Sequence, residues 1–193
     1  MPARVRLGSQ TSMRAETDRA KLERFMVTFG QRVRGPGRIY LTGGATAVLH
    51  GWRAMTIDVD LKPDPEPRGC FEAIATLKDE LDLNVELAAP DDFLPALPGW
   101  RGRSLFIARH GPVEYYHYDL YSQALAKIER RHTRDLADVQ AMRQRGLIRD
   151  DQLQALFAAI EPELIRFPAV DAGSLRLAVH ETCATPPGDH VAG

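Results

Sequence analysis

The chain has 193 residues, of which 44% are apolar and 26% are charged, and its formal net charge is −1. These values are typical of a soluble globular protein, and they exclude the overall basic field that marks many nucleic-acid-binding proteins. No segment approaches the ~18 apolar residues of a membrane span, and the N-terminus lacks the apolar core of a signal peptide. Cys70 and Cys183 form no disulfide or zinc pattern, so we expect a cytoplasmic, reduced protein with no membrane partner.

The first two-thirds of the chain predicts alternating helices and strands. Apolar residues at spacings of three and four predict amphipathic helices, whereas alternation of apolar and polar residues predicts strands. In chain order, the predicted elements are a helix within 14–33, a strand at 38–41, a helix from Gly43 closed by Gly51, a strand at 56–62, a helix at 70–81, a strand at 83–88, an irregular loop at 90–103 and a hairpin at 104–119 that turns at 110–112.

After residue 120 the pattern becomes helical. One helix is predicted over 122–146, a second over 149–160 beyond Gly146, and a last one over 171–184 with Asp171 as its N-cap. We therefore predict an α+β fold, in which a short mixed β-sheet flanked by helices is followed by a C-terminal helical region. The predicted divisions are a disordered tail at 1–12, an α/β core at 13–120, a helical region at 121–184 and a disordered tail at 185–193.

Two carboxylates lie close together on one predicted strand. Alternation places Asp58 and Asp60 on the same side, roughly 7 Å apart at about 3.3–3.4 Å per residue. Two such charges repel, so either this side of an edge strand faces water or a cation lies between them. Hard divalent ions such as Mg²⁺ favour carboxylate oxygens and also bind phosphate, and a pair of ions can assist phosphoryl displacement.

A glycine pair precedes the acids. Gly43 and Gly44 open a predicted helix, where backbone N–H groups without a neighbouring Cβ can approach a phosphate and the helix dipole favours an anion. The simpler interpretation is a tight turn. The order strand, glycine pair, helix and paired acids is more specific than either part, and it is typical of a nucleoside-triphosphate site.

This arrangement resembles the polymerase-β-like nucleotidyltransferase superfamily. Gly43-Gly44, thirteen intervening residues and Asp58-Val-Asp60 are similar to that family's G-[GS] turn and D-x-[DE] strand, and Glu86 in "VEL" matches its third acid best. The segment "ALAKIERRHTRDLADV" resembles a helix of uncharacterised bacterial nucleotidyltransferase-like proteins related in kind to AbiEii-type toxin components. Two departures are that Gly44 stands where the family often has serine, and that the third acid is glutamate.

The resemblance implies a magnesium-dependent enzyme that moves a nucleoside monophosphate from an NTP to an acceptor. Asp58, Asp60 and Glu86 would be the catalytic and metal-binding acids for Mg²⁺ or Mn²⁺, with Asp119 as an alternative third acid. Gly43, Gly44 and Lys127 would bind the nucleotide. The acceptor stays open among RNA (tRNA especially), a protein and a small molecule, and a toxin–antitoxin or defence role with a protein partner from a neighbouring gene is consistent with the resemblance.

Other residues allow two interpretations each. Lys127, Arg131, Asp135 and Asp138 recur at four, four and three residues, as on one face of a helix that either meets phosphate or is solvated and salt-bridged. Trp100, with Arg101 and Arg103 beside it, either stacks on a base or packs as a core anchor.

The histidines give weaker indications. His50 ends the first helix after the glycines and either faces the acids or packs, whereas His117 and His132 have no partners at metal-ligand spacing.

A different class of function is a non-catalytic nucleotidyltransferase-like module that binds a partner protein or RNA. The missing turn serine and the glutamate in the third position favour it. A Rossmann-like nucleotide binder is the weakest alternative, because the chain lacks G-x-G-x-x-G.

Overall fold

A computed structural model describes residues 16–187. They form a five-stranded mixed sheet, a two-stranded sheet and eight α-helices, and the last four helices follow the sheet. The predicted α+β class with a C-terminal helical region is therefore confirmed. The predicted tail at 1–12 and all but three residues of the tail predicted at 185–193 lie outside the described residues.

Residues 16–187 contain seven strands and eight α-helices. The strands are β1 (Thr17–Asp18), β2 (Gly37–Thr42), β3 (Met55–Thr56), β4 (Asp58–Pro63), β5 (Asn84–Leu87), β6 (Leu105–His110) and β7 (Val113–His117). The helices are α1 (Arg19–Arg32), α2 (Gly43–His50), α3 (Cys70–Glu80), α4 (Trp100–Arg103), α5 (Leu120–Arg130), α6 (Thr133–Gln144), α7 (Asp150–Ile160) and α8 (Ala172–Ala184), with short 3₁₀ segments at Pro90–Asp92 and Glu161–Arg166.

The large sheet has the strand order β5-β4-β2-β7-β6. The almost wholly buried β2 is central, antiparallel to β4 and parallel to β7. β5 runs parallel to β4, and β6 forms the predicted hairpin with β7. Thr42, the last residue of β2, lies opposite Asp60 of β4, so the start of α2 and the acidic strand meet at one end of the sheet.

The two faces of the sheet have different partners. Ile39, Leu41, Val59 and Leu61 point to the face that packs on α1 and α3. Tyr40 points to the opposite face and belongs to the cluster formed with α5 to α8. Since side chains alternate along a strand, Asp58 and Asp60 lie on the Tyr40 face, which the C-terminal helices cover.

The prediction of a single helix over 122–146 is wrong. The chain leaves the helix at Arg131, whose φ is +57°, and starts α6 at Thr133. The left-handed residue caps α5 by donating its N–H to the Lys127 carbonyl at 3.1 Å, and its guanidinium donates to the Ser174 carbonyl of α8 at 3.0 Å. The turn packs α6 against α5 instead of extending it.

The segment 90–103, predicted to be irregular, contains two short helical pieces. Asp92 accepts the Ala89 N–H at 2.8 Å in the 3₁₀ segment, and Trp100 begins α4. The prediction for the last helix is confirmed, because the Asp171 side chain accepts the Ser174 N–H at 2.6 Å as the N-cap of α8.

None of the helices between residues 16 and 187 combines the length and the apolar character that crossing a membrane requires.

Candidate functional site

A cleft of about 220 Å³ lies where the end of β2, β4 and β5 face α5. Five of the residues that the sequence singled out line it, namely Gly43, Asp58, Asp60, Glu86 and Lys127. They come from α2, two adjacent strands and a helix of the C-terminal region. The fold thus brings together groups that are up to 84 residues apart in the chain.

Strand register places the acids. Asp60 lies beside Glu86 across the parallel β4–β5 pair, and Asp58 lies beside Asn84. The Asn84 amide donates to an Asp58 carboxylate oxygen and, at 3.3 Å, to Glu86. Asn84 therefore bridges the outer two carboxylates and partly offsets their repulsion, whereas no basic side chain of residues 16–187 forms an ion pair with any of the three acids.

Asp60 lies where its surroundings disfavour a negative charge. Burial, and after it the charges of Asp58 and Glu86, raises the pKa of its carboxyl to about 6, against a smaller opposing effect of Arg130 and Lys127. A carboxylate in this position is stabilised by any added cation. This is the observation that makes the cleft chemically suited to a hard divalent ion, whose preferred ligands are carboxylate oxygens.

The acids are not arranged around a single point. Among the described residues, no group of three or more His, Cys, Asp or Glu side chains has the geometry to hold a metal ion. The donor types fit Mg²⁺ or Mn²⁺, and chelation by all three acids would require their side chains to turn toward a shared centre.

Gly43 is required where α2 begins. Its φ is +58°, and a Cβ added here would lie 2.6 Å from an Asp60 carboxylate oxygen, so only glycine fits without strain. Its N–H donates to the Gln123 side-chain oxygen at 3.0 Å. A phosphate that takes this N–H must displace the Gln123 oxygen.

Gly44 lies behind the cleft rather than along it. A Cβ here would come within 2.0 Å of the Thr56 hydroxyl oxygen and 2.7 Å of the Thr56 Cβ. The Thr56 hydroxyl itself donates to the Asp58 carbonyl at 3.0 Å, next to the acids. The close packing of Gly44 on Thr56 disfavours serine, the residue that nucleotidyltransferases of the polymerase-β-like superfamily often have at this turn.

Lys127 is buried, with a relative exposure of 2%. Its ammonium donates to Asp138 at 2.6 Å and to Asp135 at 3.0 Å. Asp138 also accepts two hydrogen bonds from Arg53 at 2.6 and 2.8 Å and one from the Trp52 indole at 3.1 Å. The expected salt bridges between Lys127 and the two aspartates are present, but the interpretation as a solvated face of one helix is wrong, because Lys127 lies on α5, the aspartates lie on α6 and all three side chains are buried.

Arg130 supplies a second cation to the cleft. It lies on α5, three residues beyond Lys127, and its side chain is half-exposed. Its one ion pair among residues 16–187 is to Asp135 at 3.1 Å. Arg130 is therefore the cationic side chain of the cleft that can reorient toward a ligand with least disturbance.

Asp119, the alternative third acid, lies elsewhere. It is buried, accepts two hydrogen bonds from Arg103 at 3.0 and 2.8 Å and one from Ser122 at 2.8 Å, and lines a different cavity beside Leu120. The structure thus separates Asp119 from Asp58 and Asp60. Its role is to neutralise Arg103 at the start of α5.

Trp100 packs as a core anchor. It is buried and stacks on Tyr118, with ring centroids 4.3 Å apart and planes at 9°. The Arg101 guanidinium lies over the indole, 4.5 Å from the ring centroid, and pairs with Asp64. The interpretation of Trp100 as a base-stacking residue of the loop is wrong, because the ring is buried and already stacked on Tyr118.

The histidines do not join the acids. His117 is buried, and its ring lies 4.2 Å from that of His50, which also stacks on Trp52. Burial lowers the pKa of His117 to about 3 and also lowers the pKa of His50. Both are therefore neutral packing residues at pH 7, and His132 precedes the first turn of α6.

Three residues at the cleft were given no role from the sequence, namely Gln123 and Phe93, which line it, and Asn84, which donates to two of the acids. Gln123 lies four residues before Lys127 on α5, a helical spacing that could have identified it. Asn84 could have been found only by knowing that β5 pairs with β4. Phe93 follows the 3₁₀ segment and carries no periodic signal.

The sequence matches no known protein family, no curated protein and no solved structure in comparisons with each.

Proposed function

We propose that the chain is a divalent-metal-dependent nucleotidyltransferase, which moves a nucleoside monophosphate from an NTP to an acceptor. The observation that carries this proposal is that one cleft contains the glycine turn of α2, three carboxylates from two adjacent strands, and Lys127 with Arg130. Nucleotidyl transfer assisted by a metal needs both negative groups that hold the ion and positive groups that hold the phosphates.

The residues take distinct roles in the proposal. Asp58, Asp60 and Glu86 would hold Mg²⁺ or Mn²⁺, and the bound ion would neutralise charge on the triphosphate. Arg130 and Lys127 face the phosphates from α5. Because Gly43 has no side chain, the phosphates can approach the start of α2. Asp138 and Asp135 hold the Lys127 ammonium in place.

The proposal is tested by incubating the purified chain with each NTP labelled at the α-phosphate, Mg²⁺ or Mn²⁺, and either total RNA or a cell lysate. Label should transfer to RNA or protein with the wild type and not with Asp58→Asn or Glu86→Gln. RNA (tRNA in particular), a protein and a small molecule are all acceptor candidates, and a protein encoded beside this chain is the first partner to add in a toxin–antitoxin or defence setting. No transfer under any condition, together with no NTP binding, would exclude the enzyme.

A second candidate function is a non-catalytic nucleotidyltransferase-like module that binds a partner protein or RNA. Two observations favour it, since the Gly43 N–H already bonds to Gln123 and the acids are not arranged as a metal centre. Calorimetry with Mg²⁺ and each NTP separates the two. Metal-dependent NTP binding that Asp58→Asn abolishes favours the enzyme, and the absence of any nucleotide binding favours the module.

A further inference from the structure

Phe93 presents an aromatic ring to water within the cleft. Its relative exposure is 54%, although the next residue, Leu94, is buried in the core that the C-terminal helices form. Leaving a phenylalanine ring in water forgoes the burial free energy that the rest of the segment gains. The exposed ring is therefore not explained by packing of its own segment.

The backbone around Phe93 is held in place. The Phe93 N–H donates to the Pro90 carbonyl at 3.1 Å, and Asp92 accepts the Ala89 N–H at 2.8 Å. Asp91 forms an ion pair with Lys62 of β4. These two hydrogen bonds and the ion pair hold the backbone that presents the ring to the cleft.

The cleft has an apolar wall at the Phe93 end. Ala88, Ala89 and Pro90 lead from β5 to Phe93, and Ala126 of α5 also lines the cleft. These side chains carry no hydrogen-bonding atoms. The carboxylates, Lys127 and Arg130 supply the charged lining, so the cleft combines a charged part with an aromatic and apolar part, as a nucleoside triphosphate does.

We propose that Phe93 is the platform on which the base of the bound NTP stacks, and that this cleft selects the base by stacking and not by hydrogen bonds. The inference rests on the proposed function, since it takes the triphosphate to lie at Lys127, Arg130 and the acids. Stacking on an aromatic ring tolerates every base because each has a π face. Purines offer the larger face, so ATP and GTP should bind more tightly than CTP and UTP and nearly as well as each other.

The test compares binding of the four NTPs and of inorganic tripolyphosphate, each with Mg²⁺, by calorimetry. The variants are Phe93→Ala, Phe93→Trp and the control Phe71→Ala, whose ring is 50% exposed on α3 and does not line the cleft. Phe93→Ala should weaken each NTP about tenfold, as loss of one base–aromatic stack does, and leave tripolyphosphate unchanged. Phe93→Trp should keep NTP affinity, and Phe71→Ala should change nothing.

The possible failures are distinguishable. If the wild type binds NTPs and Phe93→Ala binds them equally well, or loses tripolyphosphate to the same extent, the stacking role is overturned and the proposed function stands. A preference of more than about a hundredfold between ATP and GTP overturns selection by stacking, because only hydrogen-bonded recognition gives such a ratio. If the wild type binds neither NTPs nor tripolyphosphate, both the proposed function and this inference fail. Circular dichroism of each variant verifies that it is folded.

Discussion

Asp60 lies where burial and two neighbouring carboxylates act against its charge. Its pKa of about 6 compares with about 3.9 for an aspartate in an unfolded chain. At a pH between these two pKa values, the Asp60 carboxyl is protonated in the folded protein and ionised in the unfolded chain. The free energy of unfolding therefore falls as pH rises from about 4 to about 6, and above pH 6 the penalty is fully present.

Asp60→Asn should remove this penalty. We expect the variant to be more stable than wild type at pH 7 by roughly 1–2 kcal/mol, and to match it near pH 4, since the side chain is neutral in both proteins there. Urea unfolding at pH 4, 5, 6 and 7 measures the difference directly. The exposed Glu72, replaced by Gln, is the control and should show no comparable change. A destabilised Asp60→Asn at pH 7 would mean that an unrecognised cationic partner stabilises the carboxylate.

Gly44 is a second single position with a large expected effect. In Gly44→Ala the added Cβ collides with Thr56, which is buried and bonded to the Asp58 carbonyl, so the β3–β4 connection must shift. Overpacking of this kind costs about 1–3 kcal/mol. Thermal and urea unfolding should show this loss for Gly44→Ala. Gly102→Ala in α4 is the matched control, because a Cβ there meets nothing within 4 Å, and it should be neutral or slightly stabilising.

At the scale of elements, local sequence patterns predict individual strands and turns. They do not predict which elements pair with one another. Alternation around Asp58 and Asp60 and the turn at Gly111 predict β4 and the β6–β7 hairpin correctly. The register that places Glu86 beside Asp60 depends on β4 pairing with β5, which no local pattern encodes.

The break between α5 and α6 shows why helical spacing alone failed. The spacing from Lys127 to Asp138 fits one continuous helix, yet Arg131 adopts a left-handed conformation and the chain folds back. The reversal brings Asp135 and Asp138 against Lys127, and this buried pairing is a tertiary interaction. The role of Lys127 in nucleotide binding stays a prediction, because its position in the cleft does not show what it binds.

Asp138 joins the two halves of the chain. It accepts hydrogen bonds from Lys127 on α5 and from Trp52 and Arg53, which follow α2. Asp138→Asn keeps the shape of the side chain and removes its charge, which leaves buried cations underpaired. We expect a loss of about 3 kcal/mol in the free energy of unfolding, since removing one partner of a buried pair is strongly destabilising.

Urea unfolding of Asp138→Asn, with Asp151→Asn as control, measures this loss. Asp151 also pairs with an arginine, but both side chains are about 70% exposed, so its replacement should change stability by less than about 0.5 kcal/mol. Equal, small effects in the two variants would show that the enclosed network does not join α6 energetically to α5 and to the segment after α2.

At the scale of the whole molecule, the central sheet has a structural face and a chemical face. One side carries the apolar residues that pack on α1 and α3, whereas the other carries Tyr40 under the C-terminal helices and the acids at its open end. The C-terminal helices therefore complete the cleft as well as the core. Ligand binding in the cleft should stabilise both parts together.

The last prediction is the response of the whole chain to divalent ions. Because the three acids repel one another, Mg²⁺ or Mn²⁺ bound in the cleft should raise the melting temperature by mass action. At ten times the Kd the gain is about 1.4 kcal/mol, or roughly 2–4 °C for a chain of this size. Melting curves with 0–10 mM of each ion at fixed ionic strength, with and without NTP, measure it.

Asp58→Asn separates a metal ligand from a structural residue in the same series. The variant keeps an oxygen that can accept from Asn84 and removes one of the charges that raise the pKa of Asp60. Without metal it should therefore be at least as stable as wild type, and it should lose most of the response to Mg²⁺, whereas Asp151→Asn should respond like wild type. If Asp58→Asn is instead destabilised and the wild type is indifferent to both ions even with NTP present, the acids are structural. The cleft would then hold no metal, and the nucleotidyltransferase proposal would be excluded.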